Sequence, residues 1–485
     1  MKKTLFKNTI YKALLSFANI VIPLLVGPYI VKLLNVELYG TYNKVYADFQ
    51  FFLTFASFGI YTYGIREISK IRDNKEKVSK LLSNLFLLSL LSNICVGLIY
   101  FIYAKLISSG ITYTLYLIML IQIVGNIFYI EFVNEALENY QFITIKTLII
   151  KILYMLSLFI FVKKTDDVII YSIIICLTVF LNNIVSFIYA KRRIKFNFSE
   201  IKFRKYIKPI FGVFIITNID LLYSQLDKVM LGKFTSNVAV TLYYIPYYIV
   251  STLSAIPYAI INVSIPRLSY LIENEGKENY EKTLNKSLSS LLFIIIPMCI
   301  GVFVLAKEVV VLYAGEKYIS MVSTLMLACI IRIIISIQST MINLVMYPNN
   351  QEKKIITYSF ICGIINLLFN IVLVIFKIFT PFMCMFTTGI VELLLSILLY
   401  NFIKRKLNIK YNLFTKQNFM YLILSLSFIP ISLLIRLANF GFVLNLLLII
   451  FICVILYVGI LFYKKDENLF LIINKFFGKL RKKQK

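Results

Sequence analysis

"LNVELYGTYNKVYADFQFFLTFASFGIYTYGIREIS" spans residues 34–69, and a second version, "SNVAVTLYYIPYYIVSTLSAIPYAIINVSIPRLS", spans 236–269. Both copies begin at an Asn-Val pair. Both set two tyrosines four residues apart, Tyr42 and Tyr46 in one, Tyr244 and Tyr248 in the other. Both close on a basic residue and a serine, Arg66 with Ser69 and Arg267 with Ser269. Upstream, "FANI" (17–20) matches "ITNI" (216–219), which sets Asn19 opposite Asn218. The copies lie about 200 residues apart, the mark of a duplicated half rather than of a short tandem repeat.

What is duplicated follows from the composition around the two copies. The chain has 485 residues, is 60% hydrophobic and only 15% charged, where soluble domains carry about a quarter charged residues. Apolar runs of about 20 residues, each enough to cross a bilayer, recur from end to end. They are continuous and lack the alternation of barrel strands, so the fold class is an all-α polytopic membrane protein. Segmentation gives spans at 13–34, 42–65, 81–104, 112–132, 147–162, 168–190, 209–232, 239–265, 287–313, 320–346, 355–376, 382–403, 419–437 and 442–463, about 14 in all. The repeats are then offset by six spans. An even offset makes a parallel repeat, whose pseudo-twofold runs along the membrane normal. The expected organisation is a six-helix lobe over 1–208, a second over 209–403, two added helices over 404–463 and a basic amphipathic tail over 464–485. Two such lobes enclose a central cavity, and access to it alternates as one rocks against the other. Pro23 and Pro28 in the first span and Pro246 and Pro257 in the eighth fall in corresponding helix pairs, where each removes a hydrogen bond and permits a bend.

The net charge of +28 would suggest nucleic acid in a soluble chain. Here it sorts by side. With the N-terminus inside, the inner segments hold about 38 of the Lys and Arg residues and the outer loops about 10. The richest inner pieces are 66–77, 191–208, 404–410 and the tail, so both termini are expected in the cytoplasm. The first apolar run continues to Leu34 with no small-residue cleavage site, and is read as a retained span. The tail after Glu467 has helical apolar spacing followed by a basic cluster, suited to lying along an anionic inner leaflet. With no Trp, the 34 Tyr are expected to supply any interfacial aromatic belt.

Several chemistries are excluded. The seven Cys fall in apolar runs without a CxxC, and His is absent, which removes zinc frameworks and His-based catalysis. There is no GxxxxGK[ST] loop and no dinucleotide fingerprint. No metal or other cofactor is expected, and no enzymatic activity. The informative residues are ionisable groups inside spans, which cost about 2.5–3.5 kcal/mol at a helix centre and normally face a bundle interior or a wet pathway. Asp220, Arg332 and Glu392 lie near mid-span; Asp48, Asp227 and Lys228 lie toward the outer edge and Lys151 toward the inner. Asp220 and Asp227 are seven residues apart and share a helix face. The expected pathway set is Arg332, Asp220, Asp227, Glu392, Asp48, Asn19 and Asn218, with Asp220 and Glu392 also fitting interhelical anchors. Lys228 and Lys151 are expected to reach headgroups. Glu131, Glu135 and Glu138 read as a solvated helix end. Arg332, in "LMLACIIRIIISI" (325–337), is too deep to reach a headgroup easily.

Two stretches carry a family resemblance. "LDKVMLGKFTSNVAVTLYYIPYYI" (226–249) resembles the seventh-to-eighth-span signature of Wzx-type polysaccharide flippases, an Asp followed by a hydrophobic pair, Leu-Gly and a downstream Gly-x-Tyr. "LLNVELYGTYN" (33–43) resembles the first-to-second-span pattern of the same family, part of the multidrug/oligosaccharidyl-lipid/polysaccharide exporter superfamily. Leu242-Tyr243-Tyr244 departs from Gly-x-Tyr. The resemblance implies two six-helix lobes about a generally cationic cavity, and export of undecaprenyl-pyrophosphate-linked sugar repeat units from inner to outer leaflet. The partners it admits are that lipid-linked oligosaccharide, membrane lipids, a proton or sodium gradient and a polysaccharide polymerase; nucleic acid is not among them. The alternative within the superfamily is a multidrug cation antiporter, whose cavity should be acidic. A membrane glycosyltransferase or polymerase should show large outer loops, and these loops are short.

Overall fold

The computed structural model describes residues 2–471, 473 and 474, with the side chains of 2–10, 12, 13, 216–224 and 273 outside that description. Every regular element among the described residues is helical. In lipid this is forced, because a helix satisfies its backbone groups within one segment. The helices are α1 (Lys2–Leu33), α2 (Val36–Ser57), α3 (Ile60–Ile71), α4 (Lys75–Ile107), α5 (Gly110–Asn126), α6 (Glu131–Ala136), α7 (Tyr140–Phe161), α8 (Val168–Arg193) and α9 (Phe203–Phe234). They continue with α10 (Asn237–Asn274), α11 (Gly276–Val304), α12 (Ala306–Ala314), α13 (Val322–Thr340), α14 (Glu352–Ile375), α15 (Pro381–Arg405), α16 (Lys416–Leu426), α17 (Phe428–Leu437) and α18 (Phe442–Tyr463). Among the described residues, 12 helical segments are long and apolar enough to cross a membrane. The other two expected spans coincide with α2, diluted by polar residues, and α9, which contains the side chains outside the description.

The helices gather into two compact units. One holds residues 1–244 and 370–380, the other 245–369 and 381–485. The division falls within α10 and α14, whereas the repeat places it near residue 208. Large apolar side chains such as Leu98 and Phe161 in the first unit, and Leu447 and Phe451 in the second, are bare, as a lipid-facing surface requires.

In the first unit the expected second span is broken. Phe58 and Gly59 take left-handed conformations (φ 45° and 70°) and part α2 from α3. A Cβ on Gly59 would stand 2.8 Å from the backbone nitrogen of Phe214, so only glycine fits. The break frees the carbonyl of Ala56, and α4 recovers it: Ser92 Oγ donates at 2.7 Å and Asn93 Nδ2 at 3.3 Å. The N-terminal ends of α2 and α10 also meet here. Asn43 Nδ2 donates to Thr241 Oγ1 at 2.8 Å and Asn237 Nδ2 to Thr41 Oγ1 at 3.1 Å. Gly40 permits the approach, since a Cβ there would lie 2.9 Å from the backbone carbon of Asn237. These are the matched segments of the sequence repeat.

In the second unit a proline is compensated the same way. Pro297 within α11 leaves the carbonyl of Phe293, four residues back, without its helical donor. Tyr457 OH on α18 donates to it at 2.8 Å. Beyond α13 the helix loosens into a π segment over Met341–Met346, and Tyr280 OH takes the carbonyl of Leu344 at 2.7 Å. Tyr280 and Tyr421, with Tyr100 and Tyr116 of the first unit, are fully buried. Part of the tyrosine therefore serves inside the bundles, where Tyr280 and Tyr457 satisfy freed backbone carbonyls and Tyr116 and Tyr421 bond buried carboxylates. The helix after Glu467 leaves the description at 472, so the basic end of the tail lies outside the described residues.

Candidate functional site

The charged residues of the spans resolve into separate clusters. In the first unit α9 and α10 form a hairpin through Thr235 and Ser236, which sets Asp227 against Tyr243. Tyr243 OH donates to Asp227 Oδ2 at 3.0 Å, and Asn370 Nδ2, from α14, donates to Oδ1 at 2.6 Å. Asp227 is fully buried. Both its oxygens are occupied, and Thr235 Oγ1 adds a bond to the carbonyl of Phe379 at 2.8 Å. Together they tie 370–380 to this unit.

Lys228 points elsewhere, as the turn of about 100° per residue requires. It does not extend to a headgroup. Its side chain is buried, with Nζ 3.2 Å from Gln225 Oε1 and 5.5 Å from the centre of the Tyr244 ring. It lines a cavity of about 170 Å³ with Asn43, Tyr46, Gln50, Gln225 and Tyr244. The expectation of snorkelling fails because α9 presents this face to α2 and α10 rather than to lipid.

Asp48, also buried, sits between α2, α4 and α5. Lys44 Nζ stands 3.1 Å from Oδ2, Tyr103 OH donates at 3.3 Å, and Tyr116 OH makes a further short bond to the same oxygen. Lys151 is half-buried on α7 and has no ion pair among the described residues. Asn19 is exposed on α1; the side chains of Asn218 and Asp220 lie outside the described residues.

Glu131 corrects the reading of a solvated helix end. It is buried on α6, where Lys146 Nζ stands 2.9 Å from Oε1, and Ser186 Oγ bonds both Oε2 and the Lys146 ammonium. The chain breaks between α5 and α6, and α6 packs against α3, α7 and α8 instead of running on into water. Only Glu138, paired with Arg72 at 2.7 Å, is exposed as expected; Glu135 accepts from Tyr61 OH at 2.7 Å. Lys146 escaped the sequence reading because it precedes the expected fifth span by one residue. Lys44, inside the expected second span, carries the same mark as Asp48 and was passed over; Tyr243 and Asn370 escaped because an uncharged side chain in a span does not stand out.

In the second unit Arg332 sits in the middle of α13, 6% exposed. Its guanidinium carbon lies 5.1 Å over the Tyr247 ring, and one terminal nitrogen bonds Ser251 Oγ, both from α10. Ser336, one turn on, donates to Tyr258 OH at 3.3 Å and closes the same polar patch. No carboxylate lies within ion-pair distance of Arg332 among the described residues. A cation on a tyrosine face, with hydroxyls at its edge, is held in place while its charge stays uncompensated. Glu392 is buried on α15, which packs on α13.

Comparison with known proteins agrees with this architecture. A protein provisionally named an O-antigen transporter from Escherichia coli (strain K12) is 24% identical over 380 residues, covering 76% of this chain and 89% of the relative. One of the same name from Shigella dysenteriae is 23% identical, covering 76% and 92%. Among solved structures, the lipid II flippase MurJ in an inward closed conformation matches with a TM-score of 0.72 at 17% identity, over 95% of this chain and 99% of that one. An inward-facing multidrug resistance MATE family transporter of the MOP superfamily matches at 0.59 and 12% identity, over 83% and 94%. At such identities these two likenesses concern the fold. The model of one sequence family, described as polysaccharide biosynthesis protein, matches residues 5–272, more than half of the chain, and the chain belongs to that family.

Proposed function

We propose that this protein is a Wzx-type flippase of the bacterial cytoplasmic membrane, with both termini in the cytoplasm. It moves undecaprenyl-pyrophosphate-linked oligosaccharide repeat units from the inner to the outer leaflet by alternating access, for surface polysaccharide assembly. Family membership and the transporter names of its relatives support the class of activity. The observation that carries the substrate is Arg332, a buried mid-span guanidinium with tyrosine and serine contacts but no carboxylate among the described residues. Such a charge needs a partner. A pyrophosphate supplies one that arrives and leaves, and the planar guanidinium can donate two parallel bonds to it. A cation extruder has the opposite requirement, which disfavours the antiporter reading. A proton or sodium gradient, or the gradient of substrate itself, drives the movement on this reading, and a polymerase takes the product.

The test is surface polysaccharide in a flippase-deficient host at matched membrane levels of protein. Arg332→Ala should abolish most export. Arg332→Lys should retain part of it, because Lys keeps the charge and loses the fork. Normal export by the alanine variant would overturn the role of Arg332.

A further inference from the structure

The cavity beside Lys228 is not used by that argument. At about 170 Å³ it falls below the roughly 300–1,000 Å³ of pockets that take drug-sized ligands, so it holds one ring or one small ion and not a whole repeat unit. Its walls have a definite chemistry. Asn43, Gln50 and Gln225 bring carboxamides, Tyr46 and Tyr244 bring phenols and aromatic faces, and two small apolar residues complete the lining. The Gln50 side-chain amide makes no hydrogen bond among the described residues.

One cation serves this cavity. The Lys228 ammonium is more than nine-tenths buried, and its hydrogen-bond partner among the described residues is a neutral amide oxygen, Gln225 Oε1. Asp227, next to it in sequence, acts on it only through its field and makes no ion pair with it, accepting instead from Tyr243 and Asn370. The other lysine nearby in sequence to this wall, Lys44, is committed to Asp48 and Tyr116. A buried ammonium without an anion in ion-pair contact is costly unless a ligand brings one.

We infer that this cavity is a subsite for a single sugar ring bearing a carboxylate. Lys228 takes the carboxylate, the amides and phenols take ring hydroxyls, and a tyrosine face packs on the apolar side of the ring. One ammonium matches one negative charge. A pyrophosphate, with more charge and no hydroxyl-bearing ring, would leave the amide-rich wall unexplained. The inference rests on the flippase reading and narrows its cargo to repeat units containing an acidic sugar.

Purified full-length protein in detergent is titrated with D-glucuronate, D-glucose and inorganic phosphate, and binding is followed by ligand-induced thermal stabilisation. Glucuronate should bind more tightly than glucose by about tenfold or more, the worth of a hydrogen bond to a charged group. Lys228→Met should erase that preference, and Lys228→Arg should keep part of it. Gln50→Leu should weaken both sugars while the preference for glucuronate survives, which tests the pocket wall should the methionine variant fold poorly. Equal affinity for glucuronate and glucose, or a preference that survives Lys228→Met, overturns the subsite. A Lys228-dependent response to phosphate that exceeds the response to glucuronate also overturns it, and assigns the ammonium to a phosphate group. Export is measured in parallel in the flippase-deficient host. Loss of the sugar preference with export restored removes the subsite alone, whereas a wild-type chain that restores no surface polysaccharide removes the flippase reading beneath it.

Discussion

Lys146 and Glu131 show how much of a charge's role depends on residues far away in the chain. The pair is closed by Ser186 on α8 and buried where water cannot replace a missing partner. Lys146→Met alone should lower stability by about 3–5 kcal/mol, because it strands the Glu131 carboxylate. Lys146→Met with Glu131→Gln should recover much of that loss. Thermal unfolding in one detergent compares the two, and equal stability of the single variant and the wild type would refute the pair's importance. At this scale the sequence was informative about many charges, since the spans expose Asp48, Asp227 and Arg332, though Lys44 and Lys146 were passed over. It was silent on partners. Asp227 gives no hint that Asn370 will reach it, and the spacing of Asp227 and Lys228 shows only that they point apart.

Elements show a different limit. Hydropathy located the spans, yet it ran straight through the breaks at Phe58–Gly59, between α5 and α6, and between α16 and α17. Apolar residues flank each break on both sides, so the hydropathy run does not stop there. What decides is whether a neighbour can donate to the freed carbonyls, as Ser92 and Asn93 do at the Phe58–Gly59 break, Tyr280 at the π segment and Tyr457 at the Pro297 site. Two variants probe this. Gly59→Ala should destabilise by more than about 1 kcal/mol, since it joins left-handed strain to a clash with the Phe214 backbone. Tyr457→Phe should cost about 1–3 kcal/mol by leaving the Phe293 carbonyl unpaired. Unchanged melting of either would show that the break is maintained by other means.

For the whole molecule, the alternation of basic loops predicts sidedness. Reporter fusions placed after Arg193 and after Lys406 should both read as cytoplasmic, and an external signal at either point would break the proposed topology. The polytopic helical class was fully legible, because composition alone requires it. The Asn-Val segments point to a duplication, and superposing residues 1–208 on 209–403 as parallel six-helix lobes is the measurement that checks it. The compact units of the fold were not legible, because α10 and α14 each pass from one to the other, and no composition shift marks a crossing inside a continuous apolar helix.

The junction of α2 with α10 has a consequence for populations. Its two side-chain bonds, Asn43 to Thr241 and Asn237 to Thr41, join neutral groups, each worth about 0.5–1.5 kcal/mol net. Together they bias an equilibrium between joined and parted ends by about 5–150-fold. That is enough to make one arrangement the resting majority and little enough for the other to be visited unaided. A buried ion pair at the same place would hold nearly every molecule on one side. Neutral partners where the two similar Asn-Val segments meet leave the balance within reach of whatever the protein binds.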